Sequence, residues 1–146
     1  MTIFTKKGEI LLYEKESYFV RGLFFKIYNE LGPGHKESVY SKALVQEFKE
    51  SKVPFESEKH LKIIRNKEIL GTFRVDFVIW DKMIIELKAL EFLPIISERQ
   101  IQSYLSGSKY KLAFLVNFGA KKLEIIRKVN DKAKKSAISA QSALFA

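Results

Sequence analysis

Residues 71–88 read Gly-Thr-Phe-Arg-Val-Asp-Phe-Val-Ile-Trp-Asp-Lys-Met-Ile-Ile-Glu-Leu-Lys, and the fold is decided by how this stretch is read. It contains two apolar segments, Val75 to Trp80 and Met83 to Leu87, with a turn at Asp81-Lys82. Both are rich in β-branched and aromatic side chains, as strands buried on both faces are. Asp76, Glu86 and Lys88 interrupt the run. A charge removed from water without a partner costs several kcal/mol, so each needs an ion pair, a metal or a catalytic duty. Two carboxylates and an ammonium converging in mid-sheet suggest a divalent cation with a lysine beside it.

Side-chain direction has period two along a strand, which tests the idea. A two-residue turn pairs Trp80 with Met83 and sends Asp76 to the face opposite Glu86 and Lys88. An odd loop such as Asp81-Lys82-Met83, or a bulge, restores the parity. The expected pairing then sets Asp76 near Lys88 and Val78 near Glu86, all three charges on one face.

Outward from this hairpin the chain reads as one α/β domain over 1–129. A basic, Ala/Ser-rich tail follows at 130–146, to which no function is assigned. Residues 1–13 read as a short arm or strand. Phe19, Leu23, Phe24, Ile27, Tyr28 and Leu31 recur at helical spacing, so a helix is expected over 14–31, stopped by Gly32-Pro33-Gly34. A second helix is expected over 36–51, with Tyr40, Ala43, Leu44 and Phe48 as its apolar stripe. Glu37 stands on that stripe, although an acid in a first helical turn is also favoured by the helix dipole alone. Leu61 to Ile64 reads as a strand before a turn at Asn66-Lys67. Glu58 reads as a solvated strand residue. A helix over 94–105 crosses to a buried strand over 111–118, and Leu123 to Val129 forms the last strand. Gln100 and Tyr104 share one face of that crossover helix.

The chain has 146 residues, 26 basic against 17 acidic, for a net charge of +9. A pI near 9.6 favours a polyanionic partner, nucleic acid before an acidic membrane. The absence of cysteine excludes disulfides and thiolate metal sites and fits a reducing cytoplasm. No apolar run reaches membrane-spanning length, and the N-terminus has no signal-peptide core. His35 and His60 have no partner at metal-ligand spacing and read as surface residues. Arg74 could guide a phosphate or pair with a nearby acid. Lys59, Lys62, Arg65 and Lys67 could follow a nucleic-acid backbone or simply solvate a strand.

Asp76 followed by Glu86-Leu87-Lys88 is a D…ExK arrangement, and Gln100 with Tyr104 is a Q-x-x-x-Y. With Glu37 on an earlier helix, the set resembles the PD-(D/E)XK nuclease superfamily. It is most similar to the branch called GxxExxY, whose signature matches Gly34-His35-Lys36-Glu37-Ser38-Val39-Tyr40. The resemblance runs from about residue 17 to residue 129 and takes in Asn117-Phe118-Gly119; Val75 stands where the superfamily name has proline. It implies a restriction-endonuclease-like core, a central mixed sheet of four to five strands flanked by helices. It also implies a hydrolase that cleaves phosphodiester bonds of nucleic acid, DNA ahead of RNA, with Mg²⁺ or Mn²⁺. In that reading Asp76, Glu86 and the Leu87 carbonyl hold the metal, and Glu37 extends the acidic site, directly or through water. Lys88 orients or helps deprotonate the attacking water. Gln100 hydrogen-bonds into the site, and Tyr104 reaches a phosphate or packs beneath it. Two other readings stand beside it: a structural salt-bridge cluster, and a non-cleaving nucleic-acid binding or accessory protein that keeps the fold.

Overall fold

The computed structural model describes residues 13–130 and two short strands before them, β1 (Ile3–Phe4) and β2 (Ile10–Leu11), which pair antiparallel. The expected C-terminal tail lies outside the described residues from 131 onward. Helix α1 (Glu14–Leu31) and helix α2 (Glu37–Glu50) follow, then strands β3 (Phe55–Arg65), β4 (Glu68–Ile79) and β5 (Met83–Lys88). Helix α3 (Ile95–Ser106) leads to β6 (Leu112–Asn117) and β7 (Glu124–Val129). The last five strands form one mixed sheet in the order β3-β4-β5-β6-β7. Only β5 and β6 run parallel, and α3 is their crossover.

Helices α1 and α2 cover one face of the sheet. Val20, Leu23, Phe24 and Ile27 of α1 and Tyr40, Leu44 and Phe48 of α2 bury against Phe77, Ile79, Ile85, Phe114 and Phe118. Each such side chain withdrawn from water contributes about 1.5–3 kcal/mol before the entropy of ordering is subtracted. Phe19, expected in this stripe, is 41% exposed and meets Trp80 edge-on instead. Helix α3 covers the other face, with Ile101 and Leu105 packed among Leu61, Phe73, Val75, Val78 and Ile84.

The central hairpin closes differently from the expected pairing. Ile79 pairs with Met83 and Phe77 with Ile85, so the loop is Trp80-Asp81-Lys82. An odd loop is present, as parity requires, but the register is two residues from the expected one. Asp76 stands opposite Glu86, not opposite Lys88. Met83 is fully buried and is drawn into the strand, while Trp80 and Asp81 take left-handed backbone in the turn. The Lys82 N–H closes that turn on the Ile79 carbonyl at 3.0 Å.

Strands β3 and β4 are longer than their sequence suggests. Their ladder runs from Phe55↔Ile79 to Arg65↔Glu68, with a bulge between Ile63 and Ile64. The ladder between β4 and β5 stops at Phe77↔Ile85. Beyond that rung β3 and β4 leave the sheet as a two-stranded ribbon. The side of β4 that faces the protein changes there too: Phe73 and Val75 pack towards α3, Phe77 and Ile79 towards α1 and α2. Asp76 sits at the changeover, and its neighbour across the ladder, Glu58, has left-handed backbone (φ 51°).

Candidate active site

The ribbon parts from the sheet at the two acids. Where the next ladder rung would form, side chains take over from main chain. The Asp76 N–H donates to Glu86 Oε1 at 2.7 Å, and the Leu87 N–H donates to Asp76 Oδ2 at 2.8 Å. Each carboxylate thus caps the backbone of the opposite strand across the fork. Among the described residues, Asp76 Oδ1 and Glu86 Oε2 accept no protein hydrogen bond. The pair is half-buried, and each carboxylate keeps one oxygen without a protein hydrogen bond.

This costs electrostatic energy. Burial pushes the Glu86 carboxyl up to about 8, and the neighbouring Asp76 charge adds to the rise. Burial also raises Asp76, against the opposing pull of the Leu87 N–H, Arg74 and Lys88. Among the described residues no ion pair includes Asp76, Glu86, Glu37 or Lys88. Lys88 lies close enough to lower all three acids but bridges none. A structural salt-bridge cluster would close these contacts; here the negative charge is left undercompensated. Two free hard oxygens and a charge deficit fit a divalent cation, with the Leu87 main chain beside them.

Glu37 opens α2, and the loop before it explains the pattern around it. Gly32 and Gly34 take positive φ (68° and 103°), where a β-carbon is strained. Fully buried Tyr40 donates its hydroxyl to the Gly32 carbonyl at 2.6 Å and accepts the His35 N–H at 3.3 Å. Its ring stacks on Phe118 at 4.7 Å. Glycine turns the chain, and tyrosine fastens the turn to the core, so Glu37 is delivered to the fork. The Glu37 residue is exposed, not turned into the apolar stripe as its spacing suggested. Its carboxyl is nevertheless raised, first by lost hydration and then by Asp76. Among the described residues no three Asp, Glu, His or Cys side chains gather tightly enough for a metal cage. The acidic pair therefore forms the inner set, and Glu37 stands further out.

Tyr104 reaches the site from α3. Its ring stacks on Phe73 at 4.2 Å, and burial together with the Glu86 charge raises its hydroxyl. Gln100, one turn earlier, is exposed and makes no hydrogen bond among the described residues. Arg74 meets Glu58 at 3.4 Å, both exposed, so it pairs with an acid while still acting on Asp76 and Glu37. His35 contacts the Leu31 carbonyl at 3.1 Å, and both histidines are at the surface.

A sequence model of the PD-(D/E)XK nuclease superfamily matches residues 14–129. The chain belongs to the PD-(D/E)XK nuclease superfamily. Two solved structures with a similar chain path are a protein described as SSO0001 and an alkaline exonuclease from Laribacter hongkongensis. The first is 19% identical with a TM-score of 0.51, over 74% of this chain and 57% of that one. The second is 11% identical with a TM-score of 0.43, over 92% of this chain and 79% of that one. The chain thus spans little more than half of the first. No protein of curated function matches. The five-stranded mixed sheet with helices on both faces is the restriction-endonuclease-like α/β fold.

Within this PD-(D/E)XK chain, Asn117 and Gly119 stood out in the sequence only as part of a pattern, yet they carry a structural load at the site. Asn117 is fully buried opposite Lys88 in the β5–β6 ladder. Its side chain accepts the Leu90 N–H and donates to the Leu90 carbonyl, both at 2.9 Å, and its oxygen also accepts the Gly119 N–H at 3.1 Å. The Phe118 N–H donates to the Lys88 carbonyl at 2.9 Å. A β-carbon on Gly119 would lie 2.4 Å from the Leu90 nitrogen and 2.5 Å from the Ala89 carbonyl carbon. These contacts hold the chain directly after Lys88. Gly119→Ala is expected to destabilise the protein by about 2 kcal/mol or more, because backbone cannot move aside as a side-chain tip can. Urea unfolding measures it; an unchanged midpoint would contradict the packing described.

Proposed function

We propose that the chain is a divalent-metal-dependent nuclease that hydrolyses phosphodiester bonds of DNA, and that it belongs to the GxxExxY branch of its superfamily. The observation that carries this reading is the fork: two desolvated carboxylates with free oxygens, beside a lysine that pairs with neither. Asp76, Glu86 and the Leu87 carbonyl would hold Mg²⁺ or Mn²⁺. The bound ion would supply Lewis-acid polarisation of the scissile phosphate and make water easier to deprotonate. Lys88 holds the attacking water and offsets the negative charge that grows on the phosphate oxygens. Glu37, outside the inner pair, accepts a hydrogen bond from water and keeps the field negative enough to draw the cation. Tyr104, stacked against Phe73, offers its hydroxyl at the rim. Gln100 reaches the site only by turning inward when substrate is present.

Among the described residues no helix is long and apolar enough to cross a membrane. The net charge of +9 supports a polyanionic substrate.

The reading is tested by melting the protein with and without millimolar Mn²⁺ and by incubating it with labelled DNA. Mn²⁺ is expected to raise the melting temperature and to enable strand cleavage, since a ligand bound only by the folded state stabilises it. Asp76→Asn should abolish both effects. A protein that binds DNA but gives no cleavage with either ion, and no Mn²⁺-dependent stabilisation, would contradict the nuclease reading and favour a non-cleaving binding role.

A further inference from the structure

The ribbon that leaves the sheet at the fork has no use in the chemistry above. Past Phe77↔Ile85 it loses its third strand, yet β3 and β4 stay paired to Arg65↔Glu68. Every residue from Lys62 to Leu70 is exposed. Its inner side is anchored: Leu61 and Phe73 pack towards α3, and Ile63 approaches Gly107. By alternation its outer side carries His60 opposite Arg74 and Lys62 opposite Thr72. Asn66 and Lys67 close the tip in left-handed backbone (φ 50° and 65°), the conformation of a tight two-residue hairpin. The outer half thus bears Lys62, Arg65 and Lys67 against one acid, Glu68.

A long exposed hairpin with aliphatic residues on it is an aggregation hazard unless something covers it. Ile64, Ile69 and Leu70 are 61%, 57% and 60% exposed. Its shape and charge select the occupant. A two-stranded ribbon fits the major groove of B-form DNA, whereas the A-form major groove of RNA is too deep and narrow. Single strands are held by stacking on aromatic rings, and residues 61–72 contain none. The position is equally selective: the ribbon begins at the two acids, with Arg74 between them and the basic stretch.

We propose that the exposed β3–β4 ribbon docks in the groove of a DNA duplex and sets which phosphodiester lies over the Asp76–Glu86 fork. The proposal rests on the nuclease reading for what happens at the fork, but the docking itself does not require cleavage. Lys62, Arg65 and Lys67 meet phosphates along the groove, and the aliphatic residues meet base edges and thymine methyl groups.

The test is fluorescence anisotropy of a labelled DNA duplex with the full chain in chelator, so that no cleavage occurs. The triple charge reversal Lys62→Glu, Arg65→Glu, Lys67→Glu is expected to weaken binding at least tenfold. The milder Lys62→Gln, Arg65→Gln pair should reduce the slope of log affinity against log salt by about 2, near 0.9 for each phosphate that is no longer neutralised. Circular dichroism checks that each variant folds, and the pair keeps the proposal falsifiable if the reversal does not fold. Lys49→Gln, in the exposed last turn of α2 and outside both ribbon and fork, should bind as the parent does. Unchanged duplex affinity in a folded ribbon variant would overturn the proposal, as would equal or tighter ribbon-dependent binding of single-stranded DNA or duplex RNA. Ribbon-dependent duplex binding in a protein that never cleaves supports the docking and overturns the nuclease reading alone.

Discussion

Lys88→Ala is expected to lower the single-turnover rate of DNA cleavage by about 10²–10³-fold, the scale on which one preorganised charge at the reacting phosphate is felt. The same substitution should change stability by no more than about 1 kcal/mol. Both halves follow from the fork. Lys88 lies at the end of β5 within the field of all three acids, yet it forms no ion pair among the described residues. A lysine whose work was to neutralise buried carboxylates would bond to one. Its removal would then cost about 3–5 kcal/mol, because an uncompensated buried charge would remain. Rate and melting temperature measured on one preparation separate the cases. A large loss of stability with a proportionate loss of activity would mean that Lys88 is structural. Lys88→Arg should restore little, since a planar guanidinium cannot place a compact charge on the same water.

Glu86→Gln is expected to abolish cleavage and, in chelator, to make the protein more stable. The amide oxygen keeps the hydrogen bond from the Asp76 N–H, and a neutral group replaces the carboxylate that burial and the Asp76 charge disfavour. Glu86 titrates near 8 in the folded protein and near 4.5 in the unfolded chain. Between those values the folded state holds the extra proton, so this group's contribution to stability falls as pH rises through the window. The gain from Glu86→Gln should therefore be small at pH 5 and grow to about 1–3 kcal/mol at pH 8.5. Cation binding runs the other way: it needs the carboxylate, competes with the proton and strengthens as pH rises towards 8. Urea melts of parent and variant at the two pH values, in chelator, measure the difference. A variant less stable than the parent at pH 8.5 would show that the pair is not strained.

Much of the fold is legible in the sequence alone. Helix α1 can be placed because its apolar stripe ends at two glycines around a proline. The parity argument on residues 71–88 demands an odd loop, and an odd loop is there. The register is not legible for the same reason that parity is. A shift of two residues leaves every side chain on its own face, so the apolar pattern cannot tell the two pairings apart. What decides between them is Met83, which the core claims, and Trp80, which the turn releases to Phe19. The length of the β3–β4 ribbon is hidden because its outer residues are buried against nothing, and a strand without a buried face has no alternation to read. The inward placement of Glu37 fails because the residue opens its helix, where the turn before it and not the stripe sets its direction. Asn117 and Gly119 act on Ala89 and Leu90, far away in sequence, and no local pattern reports that contact. Gln100 shares a face with Tyr104, as its spacing says, yet it is exposed, and spacing along one helix does not report how far that face is covered.

The central claim is that the fork between Asp76 and Glu86 exists to hold a hard cation. Anomalous diffraction from a crystal soaked in Mn²⁺ at pH 8 tests it most directly. The account predicts a manganese peak within bonding distance of both carboxylates and the Leu87 carbonyl, with Lys88 clear of the metal. A saturating soak that leaves the fork without a peak, with Lys88 closed onto the two acids, would contradict it.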